Sequence, residues 1–295
     1  MRHLALALLL AACGNDSALP DGGGSPIVDA PPTDGFAPLI STTWSLDSST
    51  EKYLCVRLTV TQDTYVKAIR PVAPVGTHHA VLMLGPGGQV ADGTTECDSS
   101  LTEPAIYASG VGTEEIDFPD GIGLHLLPGQ QLFLNLHLFN VSDGTITGTS
   151  GVEFLPADPS EIVHPAGTVL AGKMAGLVVV PGTSDQVGTC TTPAGTTMFG
   201  VAPHMHLLGS HMNVTYDDGS GNAPTTVLDT DYSFDDQKFR MFQPITTVAG
   251  GKYTVTCSYV NTTGKTVPFG ESTEDEMCFA MTYVYPPPSQ PTCTR

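Results

Sequence analysis

No stretch of this chain sustains a 3.6-residue apolar period over three helical turns. What recurs is a short run of branched, aromatic and aliphatic residues, closed off by turn residues. "KYLCVRLTV" (52–60), "HHAVLML" (78–84), "QQLFLNLHLF" (130–139) and "AGLVVV" (175–180) are of this kind. So are "TMFGVAPHMHLL" (197–208), "KYTVTCSYV" (252–260) and "MCFAMTYVYP" (277–286). Many short strands separated by turns pack as sandwiches or barrels. The 32 glycines and 24 prolines, with only 14% charged residues, point the same way. At roughly 150 residues per domain, 295 residues divide into two, each large enough to bury a core. "LPADPSEIVHPAG" (155–167) carries three prolines and few apolar residues and marks the boundary. The expected fold is all-β: two antiparallel β-sandwich (jelly-roll-like) domains in tandem, over 39–160 and 161–295.

Net charge is −19, from 11 Lys and Arg against 30 Asp and Glu, with no basic cluster. Phosphate contacts need basic groups, so nucleic acid is excluded as a partner. An anionic membrane surface fits no better, and the acidity serves solubility.

The first residues, "MRHLALALLLAACGND", hold one early Arg and an apolar run from Leu4 to Ala12. That run is too short to span a bilayer and reads as a signal peptide over 1–12. Its ending, "LAAC", resembles the lipobox of bacterial lipoproteins. The resemblance implies cleavage before Cys13, a lipid on its thiol, and an exported protein anchored at the bacterial cell envelope. An ordinary signal peptide with an incidental cysteine is the alternative. Residues 13–38, rich in Gly, Pro and Asp, read as a flexible tether. No later segment is long and apolar enough to be a transmembrane helix.

With Cys13 set aside, Cys55, Cys97, Cys190, Cys257, Cys278 and Cys293 form an even set. In an exported protein they predict three disulfides, with 15 connectivities open. None sits in a C-x-x-C pair, so a zinc ribbon or thioredoxin-like site is not supported. The sequons at Asn140, Asn213 and Asn261 are accidental in a bacterial lipoprotein.

The chemistry concentrates in histidine and methionine. "PHMHLL" puts His204 and His206 on one face of a strand, close enough to chelate one ion. Alone, an H-x-H is more often an incidental surface pair. In "LFLNLHLF", Leu132, Leu134, Leu136 and Leu138 form a core stripe, and His137 lies on the opposite face with Phe133, Asn135 and Phe139. "GTHHAVLML" places His78 and His79 side by side, where adjacent strand residues point apart. Both reach one metal only if the strand begins irregularly, which Gly76 permits. Met277 stands beside Cys278, so one face of that strand could serve a metal and the other a disulfide. A lone methionine is usually core.

Taken together, a His-His pair, a strand His, a His-x-His and Glu-Met-Cys followed by "YVYP" resemble the copper type II, ascorbate-dependent monooxygenases, the family of peptidylglycine α-hydroxylating monooxygenase and dopamine β-monooxygenase. The resemblance runs from about residue 50 to the end. It implies that His78, His79 and His137 hold one copper ion, and that His204, His206 and Met277 hold a second, catalytic one. It implies the disulfides Cys55–Cys97, Cys190–Cys293 and Cys257–Cys278. Imidazole suits both copper oxidation states, and the thioether favours Cu(I). The implied activity is hydroxylation of an unactivated C–H bond with dioxygen and ascorbate. The small-molecule substrate is the remaining partner, and the membrane is met only through the lipid on Cys13. The same six ligands would also suit a non-catalytic copper-binding surface lipoprotein. His125, His164 and His211 match no ligand of the family.

The resemblance also bears on substrate. Where peptide-hydroxylating members carry an arginine before the His-x-His motif, this chain has Ala202. Where they carry an asparagine and a tyrosine after the ligand methionine, it has Phe279 and Met281. These exchanges predict an apolar pocket rather than a carboxylate grip, unless Arg240 or Lys238 restores the cation.

Overall fold

A computed structural model describes residues 34–99, 103–110, 112–270 and 272–294. The signal peptide, Cys13 and the tether up to residue 33 lie outside these. The described residues belong to one compact unit, Pro32–Arg295. Every regular element among them is a β-strand, so the chain is all-β.

Two sheets come from the first half. One has the strand order Gly93–Glu96, Thr50–Thr59, Gln130–Asn140, Thr77–Pro86, Ala105–Ser109. The other runs Ala37–Leu46, Ile146–Pro156, Thr64–Val72, Ile122–Leu126, His164–Pro165. The leucine stripe is the reason they face each other. Leu132, Leu134, Leu136 and Leu138 are at most 1% exposed, in one core with Trp44, Val66, Ile69 and Val152. Each such side chain contributes roughly 1.5–3 kcal/mol by leaving water.

Two further sheets come from the second half. One runs Arg240–Thr246, Thr197–Met205, Cys278–Tyr285, Gly167–Lys173, Thr292–Thr294. The other runs Gly182–Thr191, Lys252–Asn261, Gly209–Asp217, Thr225–Asp231. Between them lies a core that includes Met212, Val214, Val255, Tyr259 and Val284. The hand-over between the two pairs of sheets falls between Pro165 and Gly167.

The halves share apolar surface. Phe199, Met281 and Tyr283 pack into the core of the first half. Tyr283 OH donates to the Ile106 carbonyl at 2.7 Å, which satisfies a hydroxyl that would be costly to bury alone.

The described residues begin at 34, inside the segment read as a tether. Phe36 is buried under the Arg70 guanidinium, and Arg70 also pairs with Asp34 at 2.6 Å. A Gly/Pro/Asp-rich composition reads as tether, yet one aromatic anchor is enough to hold this end. The run 175–180 also differs: only Val178–Val179 is strand, paired with Val267–Pro268.

Candidate functional site

His137 sits on the central strand Gln130–Asn140, whose neighbours set its surroundings on both sides. Tyr53 is opposite it on one side and His79 on the other. The Tyr53 ring stacks flat on the imidazole, with centroids 4.4 Å apart. A register shift lies between Thr77 and His79, so His78 is an extra residue against the partner strand. That bulge brings two adjacent imidazoles toward one point, which regular alternation forbids. Gly76 precedes it with φ +102°, and a Cβ there would meet Trp44 and Ile146 at 2.7 Å.

The three Nδ1 atoms converge. His78 to His79 is 3.2 Å, His78 to His137 is 3.1 Å, and His137 to His79 is 3.3 Å. Nitrogens about 3.2 Å apart share a centre about 1.9 Å from each (side over √3), close to the roughly 2.0–2.1 Å of an imidazole–metal bond. Nε2 of His137 donates to the Glu51 carboxylate, which leaves its Nδ1 as a lone pair. Donor chemistry and spacing both fit a metal ion. Among the described residues this is the one group of three His, Cys, Asp or Glu side chains so placed.

The second set is built from two strands of the other half. Met205 pairs with Cys278 in an antiparallel register, so His206 lies beside Met277. The His204 and His206 rings meet edge to face, with centroids 5.3 Å apart. Nδ1 of His204 donates to the Gln237 amide oxygen at 2.7 Å, and Nδ1 of His206 donates to the Asp275 carbonyl at 3.0 Å. Both rings therefore present a bare Nε2, the opposite nitrogen from the first set. His204, His206 and Met277 line one cavity. An imidazole pair and a soft thioether lining one cavity are donor types that fit copper.

Burial keeps all five imidazoles neutral at pH 7, the form that binds metal. His78, His137 and His204 lie below the usual histidine range, chiefly by desolvation. Desolvation drives His79 well below it and His206 to about 4.

Several residues around the ligands carried no sequence signal. Glu51 is 86 positions from His137 and is brought there only by strand pairing. Phe234 touches both sets, its ring centroid 5.4 Å from His78 and 6.3 Å from His206. Glu276 is fully buried beside Met277. Its carboxylate accepts from the amides of His206 at 3.0 Å and Leu208 at 2.7 Å, tying the His-x-His turn to the methionine strand. That residue did carry a signal, as the Glu of the Glu-Met-Cys run.

His125, His164 and His211 are elsewhere. His125 stacks on Tyr65, His164 stacks on Tyr285, and His211 bridges Asp229 and Asp231. Three disulfides are present: Cys55–Cys97, Cys190–Cys293 and Cys257–Cys278, the pairing that the family resemblance implies.

Comparison with known proteins bears on the same region. Residues 166–295 match the copper type II ascorbate-dependent monooxygenase, C-terminal domain. The match begins where the second pair of sheets begins, so this segment is similar to the C-terminal domain of that family. No curated protein matches the chain. Among solved structures, the cryo-EM structure of T=1 Penaeus vannamei nodavirus matches at 10% identity, over 81% of this chain and 82% of that one. Its TM-score is 0.19, too low to carry an argument.

Proposed function

We propose that this chain is a copper-dependent monooxygenase that hydroxylates an unactivated C–H bond, with dioxygen and an external reductant such as ascorbate. The observation that carries the reading is one cavity lined by His78 and His79 from one half, and by His204, His206 and Met277 from the family-matched half. Nδ1 of His78, His79 and His137 would hold one copper ion. Nε2 of His204 and His206, with the Met277 thioether, would hold a second. Copper supplies one-electron chemistry toward dioxygen when bound.

The residues supply what surrounds that chemistry. Glu51, Gln237 and the Asp275 carbonyl fix ring orientation and tautomer. Burial keeps the imidazoles deprotonated and ready to ligate. The three disulfides support an oxidising compartment, in line with export and anchoring through Cys13.

The test is copper loading, followed by oxygen electrode measurements with ascorbate and candidate C–H substrates. Oxygen uptake in step with a product heavier by one oxygen is expected. Two bound copper ions with no substrate-dependent uptake would favour the copper-binding lipoprotein instead.

A further inference from the structure

The cavity between the histidine sets has a volume of about 140 Å³. Its apolar walls away from the ligands include Val81, Ala105, Leu170, Ala202, Phe279 and Met281. Phe234 closes one side, against His78 and His206. Among the described residues, no Asp, Glu, Lys or Arg lines it. Arg240 and Lys238 are not among its walls, and Lys238 turns instead to Glu114 and Asp236.

The polar groups that reach the cavity are neutral: the hydroxyls of Ser99, Ser109 and Thr273 and the amides of Asn135 and Gln237. Asn135 donates to the Asp98 carbonyl at 2.9 Å, and the Gln237 oxygen holds His204 at 2.7 Å. In the metal-free protein a charged ligand group would therefore lose its water and find no opposite charge. Such burial of an unpaired ion shifts its protonation or blocks binding. Size narrows the choice further. Drug-sized ligands occupy roughly 300–1,000 Å³. An apolar cavity of about 150 Å³ holds a single benzene ring.

We propose that this cavity binds a neutral hydrocarbon group of about one-ring size, and presents it between His78–His79 and His204–His206–Met277. The inference deepens the monooxygenase reading by naming its substrate class: an uncharged molecule whose reacting end is a ring or compact alkyl group. Ala202, Leu170 and Met281 set the room available, and Phe234 closes one side of it.

The test is calorimetric binding of toluene and of benzoate, which replaces the methyl group with a carboxylate on the same ring. Full-length protein is used, metal-free and loaded with Cu(II), with no reductant, so no turnover is needed. Toluene is expected to bind at least tenfold tighter than benzoate to the metal-free protein, and Cu(II), a cation open to a carboxylate oxygen, should narrow that difference. Ala202→Arg, which puts a cation into the wall, should reverse that order. Met281→Ala, which enlarges the cavity, should admit indane better than the unaltered protein does. Benzoate binding to the metal-free protein as tightly as toluene, or no binding of either by the unaltered protein, would overturn the proposal. Clear toluene preference without ascorbate-dependent oxygen uptake would leave the cavity assignment standing and sink the monooxygenase reading. Turnover confined to charged substrates would do the reverse.

Discussion

In the first histidine cluster, Nε2 of His137 donates a hydrogen bond to Glu51 at 2.5 Å, while its Nδ1 faces the Nδ1 atoms of His78 and His79. The carboxylate thus decides which nitrogen is free. Outer partners of this kind typically govern roughly 10–100-fold in metal affinity. Glu51→Ala should weaken copper at this site by about that factor, and Glu51→Gln, which keeps an acceptor oxygen, by less. Chelator competition measures both. Unchanged affinity in Glu51→Ala would show that the contact does not orient the ligand.

Met277 is nearly buried, and its carbonyl is fixed by the Tyr259 hydroxyl at 2.6 Å. Met277→Ile conserves bulk and removes the sulfur. It should keep most of the Cu(II) bound, lose Cu(I) affinity, and lose hydroxylation more than total copper. X-ray absorption of the reduced protein should show a sulfur neighbour that vanishes in the variant. Wild-type turnover in Met277→Ile would remove this residue from the site.

The depressed histidines make the metal-free protein acid-sensitive. His206 has a folded pKa of about 4 against an ordinary value of 6.5, so between those values the unfolded chain binds more protons. Its contribution is complete above pH 6.5 and is lost as pH falls toward 4. At about 1.4 kcal/mol per unit, this one side chain accounts for roughly 3 kcal/mol across the window. Thermal unfolding of the metal-free protein should show the midpoint falling with pH there, and copper should leave over the same range. A midpoint flat from neutral pH to about pH 4 would contradict the burial of these rings.

Cys257–Cys278 closes a 21-residue separation one position from Met277. Removing it as the double alanine variant should cost roughly 2–4 kcal/mol and loosen the second ligand set before the first. Denaturant unfolding and copper counting on one sample check this together. In the mature protein all six of these cysteines should resist thiol reagents without reductant, and Cys13→Ala should free the protein from membranes. Two reactive thiols after denaturation would contradict the three-bridge arrangement.

Much of the fold was legible because the strands that build the cores alternate strongly. The leucine stripe of Gln130–Asn140 and the run Lys252–Asn261 announce their inward faces. Strands such as Gly182–Thr191, "GTSDQVGTCT", do not, since most of their residues face solvent and carry little apolar signal. At the site, the side chains that the structure gathers in each half were named through the family resemblance. The bulge at His78 could not be read from sequence, because it exists only in the register against His137. Nor could the choice of Nδ1 in one set and Nε2 in the other, which Glu51, Gln237 and Asp275 impose from distant positions.

The most direct test of the central claim is labelled dioxygen. Copper-loaded protein with ascorbate and ¹⁸O₂ would be offered a panel holding both neutral one-ring compounds and acylated glycines. The account predicts one ¹⁸O atom in a hydroxylated product, dependent on copper, on ascorbate and on Met277, with the neutral compounds preferred. A protein that binds two copper ions through these residues yet incorporates no label into any member of the panel, with no oxygen consumed, would contradict it.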